Sequence, residues 1–156
     1  MAVDTHYREP SLEYLRSLGY NPEWVNSPVD IRATKDDKEY WIEVKGTGSE
    51  DEAFGAATLT EWMCAERNRE NFYFLIANKP GIESEGYNES TSTTEWSFEL
   101  VPPEIMMAFS TISPFQVKFN FPLNNPDRRP PNNRKTTIVP TWGILESLNE
   151  ALESQR

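Results

Sequence analysis

The residues from Val29 to Thr47, V-D-I-R-A-T-K-D-D-K-E-Y-W-I-E-V-K-G-T, restrict the fold more than any other part of the chain. Two alternating runs, Val29–Thr34 and Tyr40–Lys45, flank the charged segment Lys35-Asp36-Asp37-Lys38. Alternation describes a strand with two unlike faces, and a short charged break between two such runs suits a hairpin turn. A turn centred on Asp36-Asp37 sets Val29 opposite Val44, Ile31 opposite Ile42 and Ala33 opposite Tyr40. These apolar pairs share one face, so the register is self-consistent.

The same register sets Asp30 opposite Glu43 on the other face. Directly opposed side chains have Cβ atoms roughly 4.5–5.5 Å apart, so two carboxylates there repel unless a positive charge lies between them. A hard divalent cation such as Mg²⁺ prefers oxygen ligands and would satisfy both. Lys45 projects from the same face two residues beyond Glu43, where an ammonium can hold a water or neutralise a phosphate. The plainer alternative is a solvated outer face on which Asp30, Arg32, Glu43 and Lys45 form surface ion pairs.

Asp30, twelve further residues and then Glu43-Val44-Lys45 resemble the D…E-x-K signature of the PD-(D/E)XK nuclease superfamily. Pro28 lies two residues before the aspartate rather than next to it, a departure from the full signature. The wider W-I-E-V-K-G-T, followed by L-T-E-W at Leu59–Trp62, resembles one branch, the NO VEIN-type C-terminal domain common in restriction and defence proteins. The likeness runs from about Leu12 to Ala77.

That resemblance implies an α/β (α+β) domain with a restriction-endonuclease-like αβββαβ core, a mixed sheet flanked by helices. It implies a Mg²⁺-dependent endonuclease, with Mn²⁺ as substitute, hydrolysing DNA in restriction, phage defence or repair. Asp30 and Glu43 would bind the ion with the carbonyl of Val44, and Lys45 would orient or deprotonate the attacking water. The first helix of this superfamily often carries a glutamate facing the site, which here would be Glu13. A catalytically inactive module that binds nucleic acid or a partner protein is the alternative.

At 156 residues the chain is one domain by length, with a core over about 5–78 and a C-terminal strand and helix extension over about 94–156. Aromatic residues make up 12%, enough for a packed interior. The net charge of −10 is awkward for a protein that meets a polyanion, although local fields outweigh the total. A single cysteine, Cys64, excludes an internal disulfide and suits a reducing, cytoplasmic setting. The N-terminal residues lack the apolar segment of a signal peptide, and no run approaches a membrane span.

A helix is expected over about 3–18, beginning or kinked at Pro10, then a short strand at Glu23–Asn26. Gly46 to Glu52 reads as an acidic loop. Thr58 to Glu70 reads as a helix opened by a T-x-x-E capping box, with Leu59, Trp62 and Met63 leading its apolar face. Asn71 to Ala77 is apolar on both faces, as a buried strand requires. Lys79 to Thr94 is a polar loop, Glu95–Val101 a strand, Glu104–Phe109 a helical turn and Phe115–Phe121 a strand. Thr141–Glu153 is a closing amphipathic helix.

Pro122 to Pro140 holds five prolines and Arg128, Arg129, Arg134 and Lys135 against Asp127 alone. It is the basic segment of an acidic chain, and these four residues are the candidates to contact a phosphate backbone. A proline-rich connector with solvated charges is the competing reading. A homodimer, or a place in a larger defence or repair complex, is open to such a chain.

Overall fold

A computed structural model describes residues 4–49, 52–82, 86–88, 95–113, 116–125, 127 and 128. Arg129, Arg134, Lys135 and the expected helix Thr141–Glu153 lie outside the described residues. The described elements follow the order α1 (Asp4–Ser17), β1 (Asn21–Trp24), β2 (Ile31–Lys35), β3 (Lys38–Thr47), β4 (Glu52–Ala57), α2 (Leu59–Arg67), β5 (Phe72–Asn78), β6 (Ser97–Val101), α3 (Pro103–Ala108), β7 (Ser110–Ser113) and β8 (Gln116–Pro122). The fold is mixed α/β: a five-stranded sheet of order β1-β2-β3-β5-β6 flanked by helices, with a second sheet of order β4-β8-β7.

The hairpin forms in the expected register, with Ile31 paired to Ile42 and Ala33 to Tyr40. Asp36 and Asp37 take φ values of 53° and 63°, the left-handed backbone that a two-residue hairpin turn of matching twist requires. β3 and β5 run parallel, and β4 with α2 makes the crossover between them. β5 lies inside the sheet between β3 and β6, and its residues from Phe74 to Asn78 are all buried.

Alternation along β3 and β5 divides the interior into two. On one face Ile31, Ala33, Ile42, Val44, Leu75 and Ala77 pack with Tyr7, Leu12 and Leu15 of α1. On the other, Phe72, Phe74 and Ile76 pack with Trp62 and Ala65 of α2, Met106 of α3 and Val117, Phe119 and Phe121 of β8. Val29, expected beside Val44, joins this second cluster instead, because the β2–β3 ladder stops at Ile31 and Val29 lies beyond its end.

Other expectations shift for local reasons. α1 runs through Pro10 without starting there, since Tyr7 and Leu12 on either side of the proline bind the same sheet face. β1 ends at Trp24, because the amides of Val25 and Asn26 turn inward onto the carbonyl of Asp30. α2 stops at Arg67 and a single 3-10 turn, Arg69–Asn71, leads into β5. The loop expected from Gly46 to Glu52 is shorter: β3 continues to Thr47 and Glu52 already belongs to β4. In β4, a Cβ on Gly55 would lie 2.5 Å from Cζ of Phe119 in the neighbouring strand, so the ring occupies the glycine's missing side chain. Among the described residues no helix is long and apolar enough to cross a membrane.

Candidate active site

Trp41, Glu43, Lys45 and Thr47 alternate with Ile42 and Val44, so they share the face of β3 that looks toward α2. This is a covered face. Glu43 is 5% exposed, and the Lys45 side chain 17%. The solvated outer surface with casual ion pairs is therefore not what forms.

Asp30 reaches the same place by an irregular route. It follows the ladder without joining it, and its own groups continue the pairing. Its N–H donates to Glu43 Oε2 at 3.2 Å, and its Oδ2 accepts the Val44 N–H at 3.0 Å. Its carbonyl accepts from Val25 at 2.7 Å. The two carboxyl groups thus lie together, as the hairpin register implies, but a side-chain-to-backbone exchange holds them in place of a simple cross-strand pair.

Lys45 completes the group. Its Nζ lies 3.4 Å from Glu43 Oε1 and 2.9 Å from Glu61 Oε2. In the sequence, Glu61 signals only a helix cap. It does cap: Oε2 accepts the Thr58 N–H at 2.9 Å, while the Glu61 N–H donates to Thr58 Oγ1 at 3.2 Å. Its position in the first turn of α2 also sets the carboxylate over Lys45, and no local pattern shows that juxtaposition.

Three carboxyl groups around one ammonium leave a buried excess of negative charge. Burial, with the charges of Asp30 and Glu61, pushes the Glu43 carboxyl up to about 8 against the pull of Lys45. Burial likewise raises Asp30, against hydrogen bonds from Val44 and Glu43. For Lys45, burial acts to lower the value, but Glu43 and Glu61 outweigh it, so the ammonium holds its proton more tightly than usual. A divalent cation fits this donor set. The oxygens are hard, the excess charge is negative, and Glu43 is partly protonated for want of a counter-charge. Among the described residues no three acidic, histidine or cysteine side chains enclose an ion by themselves, so two carboxylates would leave coordination positions for water and substrate.

Glu13 is not brought to this group. It is exposed on α1, and α1 packs on the opposite face of the sheet. Arg128 is held by the sheet itself: Nη1 lies 2.7 Å from Glu99 Oε1, and the guanidinium stands 4.2 Å from the centroid of the Phe121 ring. Glu99 pairs with Ile76, which pairs with Lys45, so this clamp sits two strand spacings, about 10 Å, across the sheet from the site.

The family model described as Protein NO VEIN, C-terminal matches residues 8–85, half of the chain and the stretch from α1 through β5. Among solved structures, the chain is similar to Hjc, a Holliday junction resolvase from the archaeal hyperthermophile Archaeoglobus fulgidus. The two share 17% identity over 72% of this chain and 87% of that chain, with a TM-score of 0.41. A comparison with curated proteins finds none that matches.

Proposed function

The chain belongs to the NO VEIN C-terminal family, and we propose that it is a Mg²⁺-dependent endonuclease that hydrolyses phosphodiester bonds of DNA. The observation that carries this reading is the meeting of Asp30, Glu43 and Lys45 in one buried place on the site face of the sheet. Asp30 and Glu43 would hold the ion together with the Val44 carbonyl. When bound, the cation would polarise the scissile phosphate and stabilise the leaving oxygen.

The residues themselves have distinct tasks. The Val44 and Asp30 amides fix the two carboxylates, so little reorganisation is needed on loading. Lys45 keeps its proton beside Glu43 and Glu61, which suits it to orient the attacking water and to neutralise phosphate charge. Glu61 anchors Lys45 from the helix side. Arg128, fixed on Glu99, lies on the same face of the sheet as the site, and Arg128, Arg129, Arg134 and Lys135 are the candidate contacts to a phosphate backbone.

The superfamily resemblance suggests restriction, phage defence or repair in the cytoplasm as the setting. One observation favours the alternative of a binding module that does not cut. Lys45 is engaged by two carboxylates, which leaves its ammonium less disposed to serve a water. Cleavage assays in Mg²⁺ and Mn²⁺ on plasmid, linear and single-stranded DNA separate the two. The nuclease cuts at least one substrate only with metal, and a binding module retains all three intact.

A further inference from the structure

A cleft of about 450 Å³ opens beside the acidic group, between α2 and β3. That volume lies within the roughly 300–1,000 Å³ of small-ligand sites. Trp41 stands on the site face of β3 two residues before Glu43, and Pro28 two residues before Asp30; both line the cleft. Met63 and Cys64 of α2 line the opposite side. The Cys64 thiol, raised chiefly by its burial, also feels the charge of Glu43. The lining combines one indole with polar groups at the end of α2. The Asn68 amide NH₂ is engaged by the Cys64 carbonyl at 2.8 Å, which leaves its oxygen as an acceptor, and Arg67 adds a cation.

We propose that this cleft receives one unpaired nucleobase of the nucleic-acid strand, stacked on Trp41, with Arg67 serving the adjoining phosphate. An indole face, a thioether, an amide acceptor and a guanidinium match a flat heteroaromatic ring with polar edges and a charged backbone. The lining is mostly apolar, but a purely apolar side chain would leave its polar groups without partners, whereas the polar edge of a base can pair with them. Only a base with an open face can stack, so the cleft selects single-stranded or locally opened DNA. The inference rests on the nuclease reading for its ligand class and adds to it a strand-state preference.

Cys64 is the only cysteine and lines the cleft, so it reports occupancy directly. Alkylation of Cys64 by N-ethylmaleimide is followed without divalent metal, so cleavage plays no part. The additions are a thymidine oligomer, an abasic oligomer of equal length, or neither. The base-bearing oligomer is expected to slow alkylation at least tenfold, and the abasic oligomer to leave it within twofold. In parallel, Trp41→Leu is expected to weaken oligomer binding about 5- to 100-fold with the salt slope unchanged, while Trp41→Phe stays close to wild type. Equal protection by both oligomers, a thiol unreactive in the free protein, or unaltered affinity in Trp41→Leu overturns the cleft. Metal-dependent cleavage alongside any of these leaves the nuclease reading standing. Base-selective protection with no cleavage in any metal sinks that reading and keeps the cleft.

Discussion

Replacing Glu43 by glutamine removes a buried ionisable group while keeping its shape, and the effect on stability has a defined sign. In the metal-free protein Glu43 holds its proton up to about 8, whereas an unperturbed glutamate releases it near 4.5. Between those values the folded state binds more protons than the unfolded chain, so stability falls as pH rises. The contribution is complete below about 4.5 and lost by about 8. At about 1.4 kcal/mol per pH unit, the span sets a ceiling of about 5 kcal/mol. Water drawn in on ionisation recovers more than half of it, leaving about 2 kcal/mol. Glu43→Gln carries no such term, so wild type should lose about 2 kcal/mol relative to the variant between pH 5 and pH 8.5. For a chain of this length that is roughly 4–8 °C in Tm. Thermal unfolding of both proteins across that range in EDTA measures it, and the difference cancels the titrating groups that Glu43 does not touch. Mg²⁺ at pH 8.5 should restore the wild type selectively. Parallel curves for the two proteins would refute the reasoning, because Glu43 would then ionise as freely folded as unfolded.

Lys45→Ala leaves Glu43 and Glu61 without their shared cation. It should destabilise by about 3 kcal/mol at pH 8 and by about 1 kcal/mol at pH 5, where Glu43 is protonated; urea titrations at both pH values decide this. Gly55→Ala presses a methyl group into the Phe119 ring and should lose about 1–3 kcal/mol, which Phe119→Leu in the same chain should partly relieve; thermal unfolding of both variants checks it. Changing Arg129, Arg134 and Lys135 to alanine should reduce the salt slope of oligonucleotide binding by about one unit each, while Arg128→Ala, already paired with Glu99, should change it less. Anisotropy titrations across a salt series read that contrast.

The hairpin was legible because its information is local. Alternation gives the faces, and Asp36-Asp37 gives the turn, so the Ile31–Ile42 register follows from neighbours alone. The α2 cap and the apolar run of β5 are legible for the same reason. β4 was not: E-A-F-G-A-A has no β-branched residue, and its glycine, Gly55, is explained only by Phe119 from a strand far along the chain. Val29 misled because a period-two pattern assumes that the ladder continues, whereas Asp30 ends it. The same interruption gives the site its form, since Asp30 binds Val44 and Glu43 through groups that a regular strand would have committed elsewhere. Glu61 was visible as a cap and invisible as the partner of Lys45, because crossover packing sets helix against strand. The covered character of the site face was hidden as well. Glu43 and Lys45 look like a polar exterior until α2 is placed over them.

The most direct measurement is single-turnover cleavage of plasmid and single-stranded DNA by wild type, Asp30→Asn, Glu43→Gln and Lys45→Ala, each purified identically and assayed with Mg²⁺, Mn²⁺ and EDTA. Wild type is expected to cleave with either metal and not in EDTA. All three variants should lose at least 100-fold, with their folded state verified by circular dichroism. Cleavage at equal rates in the wild type and the three variants would contradict this expectation, because the activity would then owe nothing to Asp30, Glu43 or Lys45.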